Sequence, residues 1–390
     1  MVRPLVAIAI AAFLLCAWLA GFGLLPATAA LSSHATEIPD QAPVLINPGF
    51  ECSFGYYERI NARGAVDMIP DGWIYAPITG VPDANSTRLW ANDDTCGGNN
   101  HVERIEGDDS AVLFSRDIET PPEPGKPFDS AYYQQTAVVS GAAYSLSGWM
   151  LSLCGGSFSN PNDCPDSYYM AKMLGIDPTG GVDPTGDTVV WVEDRRNFVA
   201  EDGRTRIGWA NLYTGTVAQA MTMTVFARVN SPFRWHGNHA FIDAFSLVRA
   251  PVAEFTELPP VVDGAEVTVT WQAEQSPDVA AIPGGTYQVL VDVQTRHVDA
   301  ADWTALVEGH VGPGSVVFTP KCRNTTYQLR VRARAEQPPP PPEGASPNQR
   351  YAGVWSDPAS VDFQVEPPSA EPFVGEHSVF LPLVANNIQC

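Results

Sequence analysis

Apolar residues recur at every second position in many short stretches of this chain, and turns rich in proline or glycine separate those stretches. In "AYSLSGWML", Tyr144, Leu146 and Met150 have one parity and the serines between them have the other. Successive side chains of a strand point to opposite faces, so this alternation is typical of half-buried strands. Long amphipathic helical patterns are absent, and the chain includes 35 prolines and 32 glycines. The sequence therefore predicts an all-β protein.

The first 30 residues predict export. Arg3 precedes an apolar run from Leu5 to Leu25, and small residues of the Ala-x-Ala kind close the segment. This pattern predicts a secretory signal at 1–30 and a linker at 31–43, with an uncleaved membrane anchor as the alternative because the run is long enough to span a bilayer. No later segment is that apolar. We therefore expect a secreted or cell-surface protein with no membrane span in its mature chain.

The charge of the chain narrows its partners. There are 44 acidic and 22 basic residues, which gives a formal net charge of −22. This balance repels phosphate backbones, so nucleic acid is not expected as a partner. It suits solubility and the binding of a divalent cation.

Six cysteines follow the signal segment, and an even number in an exported chain predicts disulfides. Sequence proximity favours the pairs Cys154–Cys164 and Cys52–Cys96, which leaves Cys322–Cys390. Other connectivities stay open, because connectivity does not follow from sequence alone. No pair has the spacing of a zinc site or of a Cys-x-x-Cys redox motif.

Strand patterns fill residues 44–250, which predicts a first domain with these bounds. Within it, "TAVVSGAAYSLSGW" has Ser140-Gly141 between two alternating runs and predicts a β-hairpin. On such a hairpin, Gln135 would lie across from the strand that carries Trp149.

The first domain contains "NPGFE", "PDGW", "YYQQTAVVSGAAYSLSGW" and a closing "FIDAFSLV", in that order. With this ordered set of motifs it resembles jelly-roll carbohydrate-binding modules of the galactose-binding-like kind. The resemblance implies a jelly-roll β-sandwich whose partner is a polysaccharide or a cell-surface glycan. The insertion "CGGSFSNPNDCPDSYY" departs from the short strand connection of that family.

The same resemblance implies a structural calcium ion. In that family, the glutamate of Gly-Phe-Glu and a late aspartate bind calcium side by side, which places the site at Glu51 and Asp243. Further oxygens would come from "EGDDSAV", around Asp108 and Asp109, because calcium takes six to eight oxygen ligands. Without calcium, Glu51 is a surface acid and Asp243 caps a strand end.

A second acidic segment, "GIDPTGGVDPTGD", is predicted to form turns. Its aspartates Asp177, Asp183 and Asp187 lack the alternate spacing that a helix-loop-helix calcium site requires. Two Asp-Pro-Thr-Gly turns between strands fit this segment better.

Sugar binding is expected where an aromatic ring lies among polar side chains on a strand face. Trp149 lies on the polar side of its strand, and parity groups Arg228 with Phe226 and Trp191 with Glu193. The predicted ligand-binding residues are Trp149, Gln135, Trp191 and Arg228. Packing in the core is the alternative for each tryptophan.

Residues 251–366 have Trp271 at the end of one strand pattern and Tyr327 near the start of a later one. These residues match the buried tryptophan and the sixth-strand tyrosine of fibronectin type III domains. The region resembles such a domain, which implies a second β-sandwich. The proline-rich insertion 336–350 is predicted to be exposed. Residues 367–390 form a proline-rich spacer with one hydrophobic strand, suited either to docking on this domain or to surface retention.

Enzyme signatures are absent from the sequence: it has no His-Glu-x-x-His, Gly-x-Ser-x-Gly, phosphate loop or dinucleotide fingerprint. The chain is therefore predicted to be a secreted, non-catalytic protein for glycan binding or cell-surface attachment. One alternative is a glycoside hydrolase that uses acids of the first domain, since a carboxylate pair leaves little trace in sequence spacing. The other is a structural surface protein without a ligand.

Overall fold

A computed structural model describes residues 43–60, 66–80, 86–91, 104–107, 109–114, 128–153, 170–195, 209–231, 239–282, 285–322, 324–338 and 349–364. All of them belong to one compact unit that begins at Asp40. Strands dominate, with one 3-10 turn at Cys52–Phe54 and one short helix, α1, at Pro277–Ala280. The all-β prediction is confirmed. None of these residues lies in a helix that is long and apolar enough to cross a bilayer.

The first sandwich is built from the strands that precede residue 250. They are β1 (Tyr56–Ile60), β2 (Val66–Pro70), β3 (Ile74–Gly80), β4 (Ser86–Ala91), β5 (Asp109–Phe114), β6 (Phe128–Ala137), β7 (Ala143–Leu153), β8 (Ala171–Asp177), β9 (Val190–Asp194), β10 (Ala210–Val217), β11 (Thr222–Ser231) and β12 (His239–Arg249). Sheet 1 has the order β10-β7-β12-β5-β4, and sheet 2 has the order β3-β6-β11-β8-β9. β1 and β2 form a separate two-stranded ribbon.

The core of this sandwich follows from the alternation in the sequence. Tyr144, Leu146 and Met150 of β7 are fully buried in it. The Gly-Phe-Glu and Pro-Asp-Gly-Trp motifs also meet there, because the rings of Phe50 and Trp73 stack with centroids 4.5 Å apart. The two motifs therefore close the core of one sandwich.

The predicted hairpin at Ser140-Gly141 is wrong. β6 pairs with β3 and β11 in sheet 2, whereas β7 pairs with β10 and β12 in sheet 1. The turn carries the chain from one sheet to the other, because both strands bury their apolar sides in the core between the sheets. Gln135 and Trp149 consequently lie in different sheets.

The second sandwich contains the strands that follow Pro251. They are β13 (Val252–Glu257), β14 (Val261–Asp263), β15 (Val267–Glu274), β16 (Gln288–His297), β17 (Thr304–Val311), β18 (Gly314–Phe318), β19 (Thr325–Glu336), β20 (Tyr351–Ala352) and β21 (Ala359–Gln364). Sheet 3 has the order β13-β15-β18. Sheet 4 has the order β14-β21-β19-β16-β17, with β20 paired to β19.

Both residues that carry the fibronectin resemblance lie in the core of the second sandwich. Trp271 is 1% exposed and packs with Val291, Val293 and Val331. The hydroxyl of Tyr327 accepts a hydrogen bond from the backbone N–H of Cys322 at 3.2 Å, as in the tyrosine corner of immunoglobulin-like sandwiches. Assignment to the fibronectin type III family stays a prediction.

The second sandwich contacts sheet 1 through Gln349, at the end of the insertion 336–350, and through Tyr351 and Ala352, which follow it. Gln349 is buried and its Nε2 donates to the Ala244 carbonyl at 2.6 Å. The Tyr351 hydroxyl donates a hydrogen bond to Ser246 Oγ at 3.2 Å. A Cβ at Gly215 would lie 2.4 Å from the Ala352 carbonyl oxygen, so only glycine permits this approach of the two backbones. The described end of the insertion is therefore part of the junction between the sandwiches.

Several predicted features lie outside the described residues. Cys322 is disulfide-bonded. Cys96, Cys154, Cys164 and Cys390 are not among the described residues, and neither is the side chain of Cys52. The three disulfide pairs, the secretory signal and the tail at 367–390 stay predictions.

Candidate functional site

A row of apolar side chains crosses the outer face of sheet 2. In register across the five strands stand Ile74, Tyr133, Phe226, Gly175 and Trp191. Adjacent rings are in contact: the centroids of Tyr133 and Phe226 are 5.9 Å apart, and those of Phe226 and Trp191 are 5.7 Å apart. We call this surface the aromatic face.

Trp191 lies on the edge strand β9 and is half-buried. A Cβ at Gly175 would lie 2.6 Å from the Trp191 indole, so the absence of a side chain at Gly175 lets the ring lie down on the sheet. Phe226 is fully buried under this arrangement, while Tyr133 remains half-buried. The face therefore offers Trp191 and Tyr133 as its partly accessible rings.

Arg228 lies two residues after Phe226 on the same face of β11, and hydrogen bonds hold its guanidinium in place. Its Nε and Nη2 donate to the two carboxylate oxygens of Asp129 at 2.8 and 2.6 Å, and its Nη1 donates to the Pro184 carbonyl at 2.9 Å. The guanidinium carbon lies 5.6 Å from the centroid of the Trp191 ring. Hydrogen bonding to Asp129 raises the pKa of Arg228, so the guanidinium stays charged beside the indole.

The connection from β8 to β9 forms one border of the aromatic face. Asp177 and Asp183 each accept hydrogen bonds from the backbone and hydroxyl of the threonine two residues later. These hydrogen bonds lower the pKa of Asp183. The prediction of two Asp-Pro-Thr-Gly turns is confirmed. Gln135 Nε2 donates to the carbonyl of Gly180 in this connection at 2.8 Å, which leaves an exposed amide beside the rings.

The structure brings three of the four predicted ligand-binding residues to the aromatic face and separates the fourth. Gln135, Trp191 and Arg228 all lie there. Trp149 lies on the outer side of sheet 1 and packs with Leu151 and other apolar residues. It therefore cannot act on the same ligand surface as the other three.

The sequence reasoning missed Tyr133 and Asp129. Both share the parity of Gln135 along β6, so counting by two from Gln135 would have placed them on the same face. Their importance depends on β11, which sets Phe226 beside Tyr133 and Arg228 next to Asp129. That pairing joins residues about 100 positions apart, and no local pattern reports it.

Asp243 is fully buried at a bulge in β12. One of its oxygens accepts from the backbone N–H groups of Ile105 and Glu106 at 2.6 and 3.1 Å, and the other accepts from Ala244 N at 2.6 Å. Burial raises the pKa of Asp243 well above its ordinary value. Asp243 therefore ties the segment 104–107 to sheet 1.

Glu51 reaches the same segment. Its Oε1 lies 1.7 Å from the position that a Cβ at Gly107 would occupy, so glycine is required there. Oε1 atoms of Glu51 and Glu106 both lie 3.4 Å from the Cβ position of Gly49, and burial raises the pKa of Glu106. Buried acidic oxygens gathered around one loop are a donor set that suits a hard cation.

The described part of the chain holds no group of three or more His, Cys, Asp or Glu side chains that could bind a metal by themselves. Calcium also takes backbone carbonyl oxygens, so a calcium site does not require three such side chains. Asp108 lies outside the described residues, whereas Asp109 begins β5 and is buried.

Comparisons with known proteins concern the fold. No family model and no curated protein matches the chain. Among solved structures it is similar to TmCBM61 in complex with β-1,4-galactotriose, with a TM-score of 0.31, 16% identity, and coverage of 53% of this chain and 97% of that one. It is also similar to the adhesin domain of Epf from Streptococcus pyogenes, with a TM-score of 0.24, 8% identity, and coverage of 80% and 97%.

A third similar structure is a β-1,2-glucanase from Parabacteroides distasonis, with a TM-score of 0.26 and 10% identity. The match covers 76% of this chain and 37% of that one. At these TM-scores and identities the likenesses carry no argument about function.

Proposed function

We propose that this chain is a secreted, non-catalytic protein that binds a glycan on the aromatic face and thereby attaches to a polysaccharide or a cell surface. The observation that carries the proposal is the convergence of Trp191, Tyr133, Gln135 and the Arg228–Asp129 pair on one sheet face. Rings among fixed polar groups are the usual composition of a sugar-binding surface.

The chemistry of the face fits a neutral sugar. The C–H side of a pyranose ring packs on indole or phenol rings, which Trp191 and Tyr133 supply. Hydroxyl groups need both donors and acceptors, and the Gln135 amide together with Glu193 next to Trp191 offers both. The charge of Arg228 is balanced by Asp129, so the face has no demand for an anionic ligand.

We further propose that calcium stabilises the first sandwich at Glu51 and Asp243, with oxygens from the segment around Asp108. Support comes from the buried carboxylates of Asp243 and Glu106, whose pKa values burial raises. A dication would offset the cost of keeping these groups charged. Its role there would be structural, since it would hold the segment 104–107 against β12.

A glycan screen of the secreted chain tests the main proposal, with neutral galactans and glucans as first probes. Trp191→Leu keeps an apolar cover over Gly175 and should abolish measurable binding, because stacking is lost. Trp149→Leu is the matched control and should bind as the unchanged chain does. Equal losses in both variants would contradict the aromatic face as the binding site.

The same screen separates the alternative functions. Binding without release of reducing ends is the expected result. Release of reducing ends would instead support a glycoside hydrolase, and the absence of binding to any glycan would support a structural surface protein. Either outcome would overturn the proposal.

A further inference from the structure

A second cluster of arginine and tryptophan lies on the outer side of sheet 4. The Trp303 ring centroid lies 4.5 Å from the guanidinium carbon of Arg296 and 4.2 Å from that of Arg330. The Trp355 ring centroid lies 4.4 Å from the guanidinium carbon of Arg330 and 4.5 Å from that of Arg332. We call these five residues the arginine column. Stacking fixes the guanidinium groups in place, so little side-chain entropy would be lost on binding.

The arginine column has few acidic partners. Arg296 and Arg330 donate to the amide oxygens of Gln328 and Gln294, which are neutral. Burial and the neighbouring Arg332 and Arg296 lower the pKa of Arg330. Like charges held together in this way make the surface favourable for an anion, in a chain whose formal net charge is −22.

One end of the column opens into a cleft of about 270 Å³ at the junction of the sandwiches. Its lining includes Arg332, Arg334 and Asp292 of sheet 4, Glu308 of β17, and Tyr213 of β10 in the first sandwich. We call it the junction cleft. The site therefore needs both sandwiches in their observed arrangement.

Arg332 is the donor that the junction cleft leaves available. Its Nε donates to Asp292 at 3.1 Å, and the described residues provide no hydrogen-bond partner for its two Nη groups. Arg334 differs, because Asp292 and Glu336 both pair with it. A planar guanidinium whose two Nη amino groups are both unused fits a carboxylate in bidentate geometry.

The other lining residues restrict which carboxylate can bind. Glu308 and Asp292 would repel a ligand that has negative charges but no hydroxyl groups to donate to them, such as an acidic peptide run. They are good acceptors for hydroxyl groups, and Tyr213 and Gln294 add further hydrogen-bonding groups. A ligand with one carboxylate among several hydroxyls satisfies this mixture.

We propose that the junction cleft binds a uronic acid unit of an acidic polysaccharide, with its carboxylate on Arg332 and its hydroxyls on Glu308, Gln294 and Tyr213. This site is separate from the aromatic face and does not depend on it. The chain would then hold a neutral sugar on one sandwich and an acidic sugar at the junction.

Titration calorimetry of the full chain with oligogalacturonate tests the proposal, with neutral galactan and polyglutamate as comparison ligands. Arg332→Gln should weaken oligogalacturonate binding by about tenfold or more, the loss of a charge-assisted pair. Lys321→Gln removes the same charge near the other end of β19 and should leave affinity within about twofold. Trp191→Leu should leave oligogalacturonate binding unchanged, which separates this test from that of the aromatic face.

Arg332→Lys covers the case in which the glutamine variant fails to fold. It keeps the charge and loses the bidentate geometry, so affinity should again fall. Three results would overturn the proposal: no binding of oligogalacturonate by the unchanged chain, equal binding of polyglutamate, or equal loss of neutral galactan and oligogalacturonate binding in the Arg332 variants.

Discussion

The aromatic face and the arginine column use the same residue types and differ in how charge is balanced. On the aromatic face, one arginine is held by both oxygens of a buried aspartate. In the arginine column, Arg296 and Arg330 are held by glutamine amides, and Arg332 keeps unused donors. The same arginine-tryptophan contact therefore suits a neutral ligand in one place and an anionic ligand in the other.

The largest expected effect concerns the core of the second sandwich, which supports the arginine column. Trp271→Ala should lower the free energy of unfolding by about 3–5 kcal/mol, because it removes a buried aromatic ring from the core between sheets 3 and 4. Chemical denaturation of the full chain measures this change. A loss below about 1 kcal/mol would show that Trp271 is not a core residue.

The second prediction compares charge balance in the two places directly. Asp129→Ala should cost about 3 kcal/mol of stability, because it leaves the largely buried Arg228 without its ionic partner. Gln294→Ala should cost about 1 kcal/mol, since Arg330 then loses only its two hydrogen bonds to one neutral amide oxygen. Equal losses in thermal or chemical unfolding would remove the distinction between the two surfaces.

The third prediction concerns calcium, which is proposed for the first sandwich and not for the second. Chelation should lower the stability of the first sandwich by about 2.7 kcal/mol if calcium had been a hundredfold above its Kd. Glu51→Gln should remove most of that response, and Trp271→Ala should not alter it. Unchanged melting with chelator, together with no metal found by elemental analysis, would reduce Glu51 to a structural acid.

The same acids predict a pH dependence. Burial raises the pKa values of Asp243 and Glu106 in the folded state, so the folded chain binds protons that the unfolded chain has lost. Their contribution favours folding at low pH and is lost as pH rises from about 4 through the folded pKa values. Saturating calcium should flatten this part of the stability profile, because it favours the charged carboxylates.

The smallest expected effect concerns the contact between Gly175 and Trp191 on the aromatic face. Gly175→Ala places a methyl group 2.6 Å from the Trp191 indole, so the ring has to move off the sheet. The expected cost is about 1–2 kcal/mol in stability, with weaker binding of neutral glycans. Gly141→Ala is not a suitable control despite open surroundings, because its φ of +84° favours glycine. Ser140→Ala, at an exposed turn away from the aromatic face, is preferable.

Side-chain parity was predictable from sequence, and it placed much of the candidate site. Phe226 and Arg228 share one face of β11, and Trp191 shares one face of β9 with Glu193, as their spacing indicates. Strand pairing was not predictable to the same degree. The Ser140-Gly141 turn looks like a hairpin locally, but it connects two sheets.

The amino-acid sequence by itself determined the all-β class and the alternation of faces, because period-two burial is a local property of a strand. The resemblance to fibronectin type III domains implied the buried position of Trp271. Only the tertiary structure decided which faces meet. It separated Trp149 from Trp191, set Asp129 against Arg228, and brought Tyr213 to the arginines of the other sandwich. These contacts join distant parts of the chain, and burial of apolar surface between sheets selects them without leaving a local pattern.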